Sequence, residues 1–147
     1  METRSFLAIA SVERTGSTLL CSILRGTHLA GTPLEYLNIQ TKNFERIRRE
    51  CGQPKIKFTH RPIARVRKLA GRYPWRDISY FSSSSWRSYL SAIAAQHTTL
   101  NGVFGMKMHW NQYKRHMLDM GVDVYFWNVP VKWVRITRED ELRQAIS

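Results

Sequence analysis

The opening of the chain constrains the fold more than any other stretch. A short apolar run, Phe6-Leu7-Ala8-Ile9-Ala10, leads through Arg14-Thr15-Gly16-Ser17-Thr18 into a stripe of Leu19, Leu20, Ile23 and Leu24. The run has strand length and the stripe recurs at helical spacing, which predicts a strand over Ser5–Ala10 and a helix over Ser17–Thr27. A strand, then a turn bearing hydroxyls and glycine, then a helix aims free backbone N–H groups at an anion.

Beyond that unit the pattern alternates. Phe44, Ile47 and Cys51 give a weak helical signal within Thr41–Cys51, after a Gly/Pro loop over Leu29–Leu37. The stretch from Gly52 to Pro74 is basic and broken by Pro54, Pro62 and Pro74, so no regular element is assigned there. A helix is predicted over Trp86–Thr98 behind the polar tract Ser82–Ser85, and a strand over Val103–Met108 behind the turn Asn101-Gly102. Further on, Trp110–Met120 reads as a helix stopped by Gly121 and Val122–Trp127 as a short strand. Val131–Thr137 reads as a strong strand and Glu139–Ser147 as a helix on Leu142 and Ile146. Strands alternating with helices indicate an α/β domain, a largely parallel sheet flanked by helices.

The turn at Arg14–Thr18 is not the phosphate loop of nucleotide triphosphatases, which requires a second glycine and a Lys-Ser/Thr pair. It still suits a phosphate: Gly16 permits close backbone approach, Ser17 and Thr18 offer hydroxyls, and Arg14 offers a forked cation. A plain strand–helix connection capped by Ser17 would read the same way. Arg138 follows the Val131–Thr137 strand directly, at the carboxyl edge where ligands gather in open α/β sheets. Ser147 lies on the helix after it. Taken alone, these two read equally as surface residues.

At 147 residues the chain has single-domain length, so 1–147 is taken as one domain with 42–80 as a basic, insertion-like segment. No stretch approaches the roughly 20 apolar residues of a membrane span. The apolar run behind Arg4 is also shorter than the about 7–15 residues of a secretory signal core. Cys21 and Cys51 make neither a disulfide framework nor a metal site, and Cys21 reads as a buried, inert thiol. A cytoplasmic location fits these features. The net charge of +12 is concentrated in Lys42–Arg76, where twelve Lys or Arg stand against Glu45 and Glu50. Such a block favours anionic partners. His28, His60, His97, His109 and His116 are scattered, and His109, beside a strand, reads as structural.

Three blocks, "RTGSTLLCSIL…GTHLAGTPLEYLN", "GVFGMKMHW" and "WVRITREDELRQAIS", together resemble the bacterial trehalose 2-sulfotransferase family. The resemblance covers about half of the chain and leaves Lys42–Ser79 unmatched. It implies a P-loop-like sulfotransferase fold and 3′-phosphoadenosine 5′-phosphosulfate (PAPS) as sulfuryl donor, with no metal. Arg14, Thr15, Gly16, Ser17 and Thr18 fall on the loop that wraps the donor's 5′-phosphosulfate, so Arg14 is both a binding and a catalytic candidate. Arg138 and Ser147 fall on the residues that hold the 3′-phosphate. Glu35 falls on the general base, although a lone glutamate in a Pro-containing loop is otherwise a solvated side chain.

The implied acceptor is a carbohydrate hydroxyl such as one of trehalose, and the family's habit implies a homodimer. Members continue past the position of Ser147, so the resemblance also implies a fold incomplete at its C-terminus and weakened donor contacts. A second reading stays open, a non-catalytic binder of nucleic acid or another polyanion. Its basis is the basic block followed by Tyr73, Trp75, Tyr80, Phe81 and Trp86. No recognised nucleic-acid module accompanies those residues.

Overall fold

The computed structural model describes residues 2–12, 14–39, 41–53, 58–59, 80–81 and 83–137. Arg138, Ser147 and the helix expected over Glu139–Ser147 lie outside the described residues, as does most of the basic stretch from 54 to 79. In chain order the elements are β1 (Ser5–Ser11), α1 (Ser17–Gly26), α2 (Lys42–Glu50), β2 (Phe58–Thr59), β3 (Tyr80–Phe81), α3 (Ser83–His97), β4 (Val103–His109), α4 (Trp110–His116) and β5 (Val131–Ile136). β2 and β3 form an antiparallel pair of two residues each.

The architecture is the expected α/β one. β4, β1 and β5 lie side by side in that order, all parallel, with Ala8 opposite Met106 on one side and Trp133 on the other. β1 is central, which is why it reads as an unbroken apolar run rather than an alternating one. Side chains alternate across the sheet. Phe6 and Ala8 share a face with Phe104, Met106 and Met108, whereas Ile9 and Lys107 point to the opposite face, toward α1.

The first face carries the main core. Phe6 stacks on Phe104 with ring centroids 5.4 Å apart, and Trp127 leans on Phe6 at 4.9 Å. Tyr36, Trp86, Tyr89, Leu90 and Ile93 extend this core and are fully buried. The Tyr89 hydroxyl donates to the Tyr36 carbonyl at 3.0 Å, tying α3 to the loop after α1. α2 joins through Phe44 and Ile47. Its start is capped by Thr41, whose hydroxyl accepts the Phe44 N–H at 3.3 Å.

Three local readings are corrected. The segment Val122–Trp127 is not a strand. Asp123 Oδ1 accepts the Tyr125 N–H at 2.9 Å, capping a 3-10 turn over Val124–Trp127 that ends at Asn128 in the left-handed region. The helix expected over Trp110–Met120 stops at His116, and a 3-10 turn over Leu118–Met120 completes it before Gly121, at φ 67°. On α1 the small residues Ser17 and Cys21 face the sheet, while Leu19 and Ile23 are 68% and 58% exposed. The space under α1 is shared with the polar side chains of β4, so the close-packed face takes small residues and the stripe turns outward.

His116 makes stability depend on pH. Burial, reinforced by neighbouring Arg115, pushes its imidazole down to about 4. The unfolded chain therefore binds a proton between about pH 6.5 and 4 that the folded chain refuses. This contribution is complete above pH 6.5 and is lost as pH falls toward 4, by about 3 kcal/mol. Urea unfolding of wild type and His116→Gln at pH 7 and pH 4.5 should show the wild type losing more stability, with the two curves equally pH-dependent if His116 titrates normally.

Candidate anion and general-base site

β1 delivers the chain to its carboxyl edge at Ser11, and the next five residues turn it into α1. The Thr15 hydroxyl donates to the Val12 carbonyl at 2.9 Å and closes the turn. Arg14 and Gly16 both have positive φ, 61° and 75°. Gly16 is the N-cap of α1, no side chain caps this end, and a Cβ at Gly16 would meet nothing within 4 Å. The Gly16 carbonyl accepts the Leu19 and Leu20 N–H groups at 3.0 and 3.2 Å. The N–H groups of Ser17 and Thr18 precede any intrahelical acceptor and face the open end, where an anion is favoured. Ser17 is buried, Thr18 is exposed, and Arg14 stands exposed in the turn.

Glu35 reaches this place by a backbone crossing. After α1 the segment Ala30–Glu35 runs along the outer edge of β4, where Leu34 forms a parallel bridge with Met106 and its carbonyl accepts the Lys107 N–H at 3.1 Å. The approach is possible only because two glycines meet. A Cβ on Gly31 would collide with the Gly105 amide nitrogen, and one on Gly105 would collide with the Ala30 carbonyl oxygen. The Tyr36 hydroxyl donates to the Thr32 carbonyl at 2.6 Å and fixes the loop from within.

The result is a compact polar cluster. Glu35 Oε1 lies 2.6 Å from Lys107 Nζ, and Glu35 Oε2 accepts from Asn38 Nδ2 at 2.9 Å. Lys107 Nζ also donates to Thr18 Oγ1 at 3.1 Å, so one ammonium joins the carboxylate to the start of α1. His109 Nε2 stands 3.6 Å from the same carboxylate oxygen. Burial pushes the Glu35 carboxyl up, but hydrogen bonds from Lys107 and Asn38 and the lysine's charge outweigh it and hold it below the usual range. Glu35 is therefore ionised at neutral pH. Beside it, burial raises the Cys21 thiol, which keeps it inert. A cavity of about 240 Å³ opens next to the carboxylate, lined on its polar side by Thr18, Ser22, Arg25, Asn38, Thr41 and Asn43.

Of the residues singled out in the sequence, Arg14 through Thr18 form one turn and Glu35 is joined to it through Lys107. Arg138 and Ser147 lie outside the described residues. Lys107 and Asn38 were not anticipated, and His109, read as structural, touches the cluster. Lys107 did leave a signal: it is the sole charge in Val103-Phe104-Gly105-Met106-Lys107-Met108, and a charge in a buried strand demands a partner. Among the described residues no group of three or more His, Cys, Asp or Glu is arranged to hold a metal, and no helix is long and apolar enough to cross a membrane.

A parallel sheet whose central strand feeds an uncapped helix end, with an ionised carboxylate salt-bridged beside it, makes up the candidate site of this α/β domain. The chain belongs to the Stf0 sulphotransferase family, which it matches over residues 5–147. It is similar to the trehalose 2-sulfotransferase of Mycolicibacterium smegmatis, with 30% identity over 108 residues, or 74% of this chain and 37% of that protein. The chain thus spans well under half of that relative's length.

The glycine crossing is testable by stability. Gly105→Ala should cost about 3 kcal/mol, the upper range for an overpacked interior. Gly26→Ala, at a position where a Cβ meets nothing within 4 Å, should be neutral or stabilise by about 0.4–1 kcal/mol. Equal midpoints for the two variants in urea would show that the loop does not need the crossing.

Proposed function

We propose that this domain transfers a sulfuryl group from PAPS to a hydroxyl of a carbohydrate such as trehalose. The observation that carries the reading is the ionised Glu35 carboxylate, held by Lys107 at the open amino end of α1. An acceptor hydroxyl entering the neighbouring cavity would meet a base already free of its proton, and Asn38, Thr41 and Asn43 offer sugar hydroxyls partners there.

The residues of the turn fit the donor's 5′-phosphosulfate. Free N–H groups at Ser17 and Thr18 and the unobstructed space over Gly16 suit a tetrahedral anion, and Arg14 adds a forked cation. PAPS supplies the activated sulfuryl group. As transfer proceeds, Glu35 takes the hydroxyl proton, while Arg14 and the α1 N–H groups stabilise charge growing on the departing phosphate oxygen. The family resemblance assigns Arg138 and Ser147 to the 3′-phosphate. The nucleic-acid reading has less support, because Trp86, one of the rings it needs, is fully buried in the core.

Calorimetric titration with 3′,5′-adenosine bisphosphate tests the donor site. Wild type should bind, and Arg14→Ala should raise the dissociation constant about 10–100-fold, the value of one charge-assisted contact. Glu35→Gln, which keeps a carbonyl oxygen for Lys107, should still bind the nucleotide yet lower transfer to trehalose about 10²–10⁴-fold. Absence of heat with the wild type would remove the nucleotide site, and full transfer by Glu35→Gln would remove the base.

A further inference from the structure

A general base that has taken a proton must shed it before the next turnover, and both Glu35 oxygens are already engaged by cations or amide donors. Among the described residues, the next polar neighbour of the carboxylate is His109. Its Nδ1 lies 3.0 Å from the Ser11 carbonyl oxygen. A carbonyl only accepts, so Nδ1 carries the hydrogen of that contact. The Ser11 hydroxyl, at 3.4 Å from the same nitrogen, is a weaker neighbour. In the neutral ring Nε2 is then left with a lone pair, and that lone pair faces Glu35.

The gap of 3.6 Å between Nε2 and Glu35 Oε1 fits this arrangement. Two acceptors facing one another do not close to hydrogen-bond distance while the carboxylate is ionised. Once Glu35 holds a proton, its O–H becomes a donor and Nε2 an acceptor for it. The ring is kept in place independently of that exchange. β1 holds Nδ1 through Ser11, and the His109 backbone N–H donates to Gln112 Oε1 at 3.4 Å at the start of α4. Its side chain is only 12% exposed. Among the described residues, Lys107 pairs with Glu35, Arg25 lines the same cavity, and the Glu35 carboxylate itself faces His109.

From this geometry we infer that His109 is the second station of a proton relay, taking on Nε2 the proton that Glu35 removes from the acceptor hydroxyl. The inference rests on the reading of Glu35 as the base. The acceptor O–H bond breaks as its oxygen bonds to sulfur, and the sulfur–oxygen electron pair leaves with the donor's phosphate. The proton passes to Glu35 and then to His109 Nε2, which restores the carboxylate and leaves an imidazolium still bonded to the Ser11 carbonyl. Water then takes the Nε2 proton. Lys107 keeps its grip on Oε1 throughout and holds the carboxylate in line with the ring.

The tautomer is directly measurable, whether or not the chain turns over substrate. Long-range ¹H–¹⁵N correlation spectra of the protein at neutral pH should show His109 protonated on Nδ1 and bare on Nε2. Hydrogen on Nε2, alone or together with Nδ1, overturns the relay and makes His109 a brace for Glu35. His109→Asn then tests the function, since its amide keeps an N–H for Ser11 and lacks the relay atom. It should lower kcat for sulfuryl transfer to trehalose about 10²-fold with KM unchanged, the lower end of what a positioned proton-transfer group contributes. Added imidazole should restore part of the rate. Full activity of His109→Asn, or a loss that imidazole leaves untouched, sinks the relay. Full activity of Glu35→Gln sinks the base reading instead.

Discussion

The pairing of Lys107 with Glu35 is the constraint on which the rest of the structure turns. A lysine only 5% exposed on the edge strand of the parallel sheet carries a desolvation penalty of several kcal/mol unless it is paired and hydrogen-bonded. β4 cannot supply the partner, because its neighbours in sequence are apolar. The partner arrives from the loop after α1, and Thr18 at the start of α1 takes a second ammonium hydrogen. Folding the sheet and assembling the site are therefore one event. Truncating Glu35 would leave the buried Lys107 ammonium unpaired, a change that typically costs about 3–5 kcal/mol.

Ion pairing also organises part of the remaining charge. Arg48 is almost fully buried, forks onto Glu45 at 2.9 Å and donates to the Gln53 carbonyl, while Arg46 pairs with Glu50 at 2.7 Å. Both glutamates of the Lys42–Arg76 block are thus spent within α2 on arginines of that helix. Lys107 is likewise neutralised inside the domain. These pairs are neutral and already counted in the formal +12, so the excess positive charge lies on the other Lys and Arg residues.

How much was legible in the sequence follows from the range of the forces involved. β1, α1, β4 and β5 were readable because periodicity and turn residues act locally, and the order of strand, turn and helix placed the anion turn without further information. The limits of α4 and the 3-10 turn at Val124–Trp127 were not, because capping by Asp123 and the left-handed Asn128 compete with an apolar pattern that suits a strand equally well. Glu35 was found by family resemblance and not by physics. Its neighbourhood depends on the meeting of Gly31 and Gly105, residues 74 positions apart in number, and no local pattern announces such a contact. The orientation of α1 was hidden for the same reason: which face packs depends on what β4 presents beneath it.

The crossing at Gly31 and Gly105 also decides what the sheet can do with its border. By accepting the Lys107 amide, the Leu34 carbonyl occupies a backbone donor on the outer side of β4 that a foreign strand would otherwise use. The loop bearing the carboxylate therefore doubles as a hem, sealing that margin against strand addition. Any substitution that lifted it would open that margin to a foreign strand and part Glu35 from Lys107, and misassembly would be the earlier symptom.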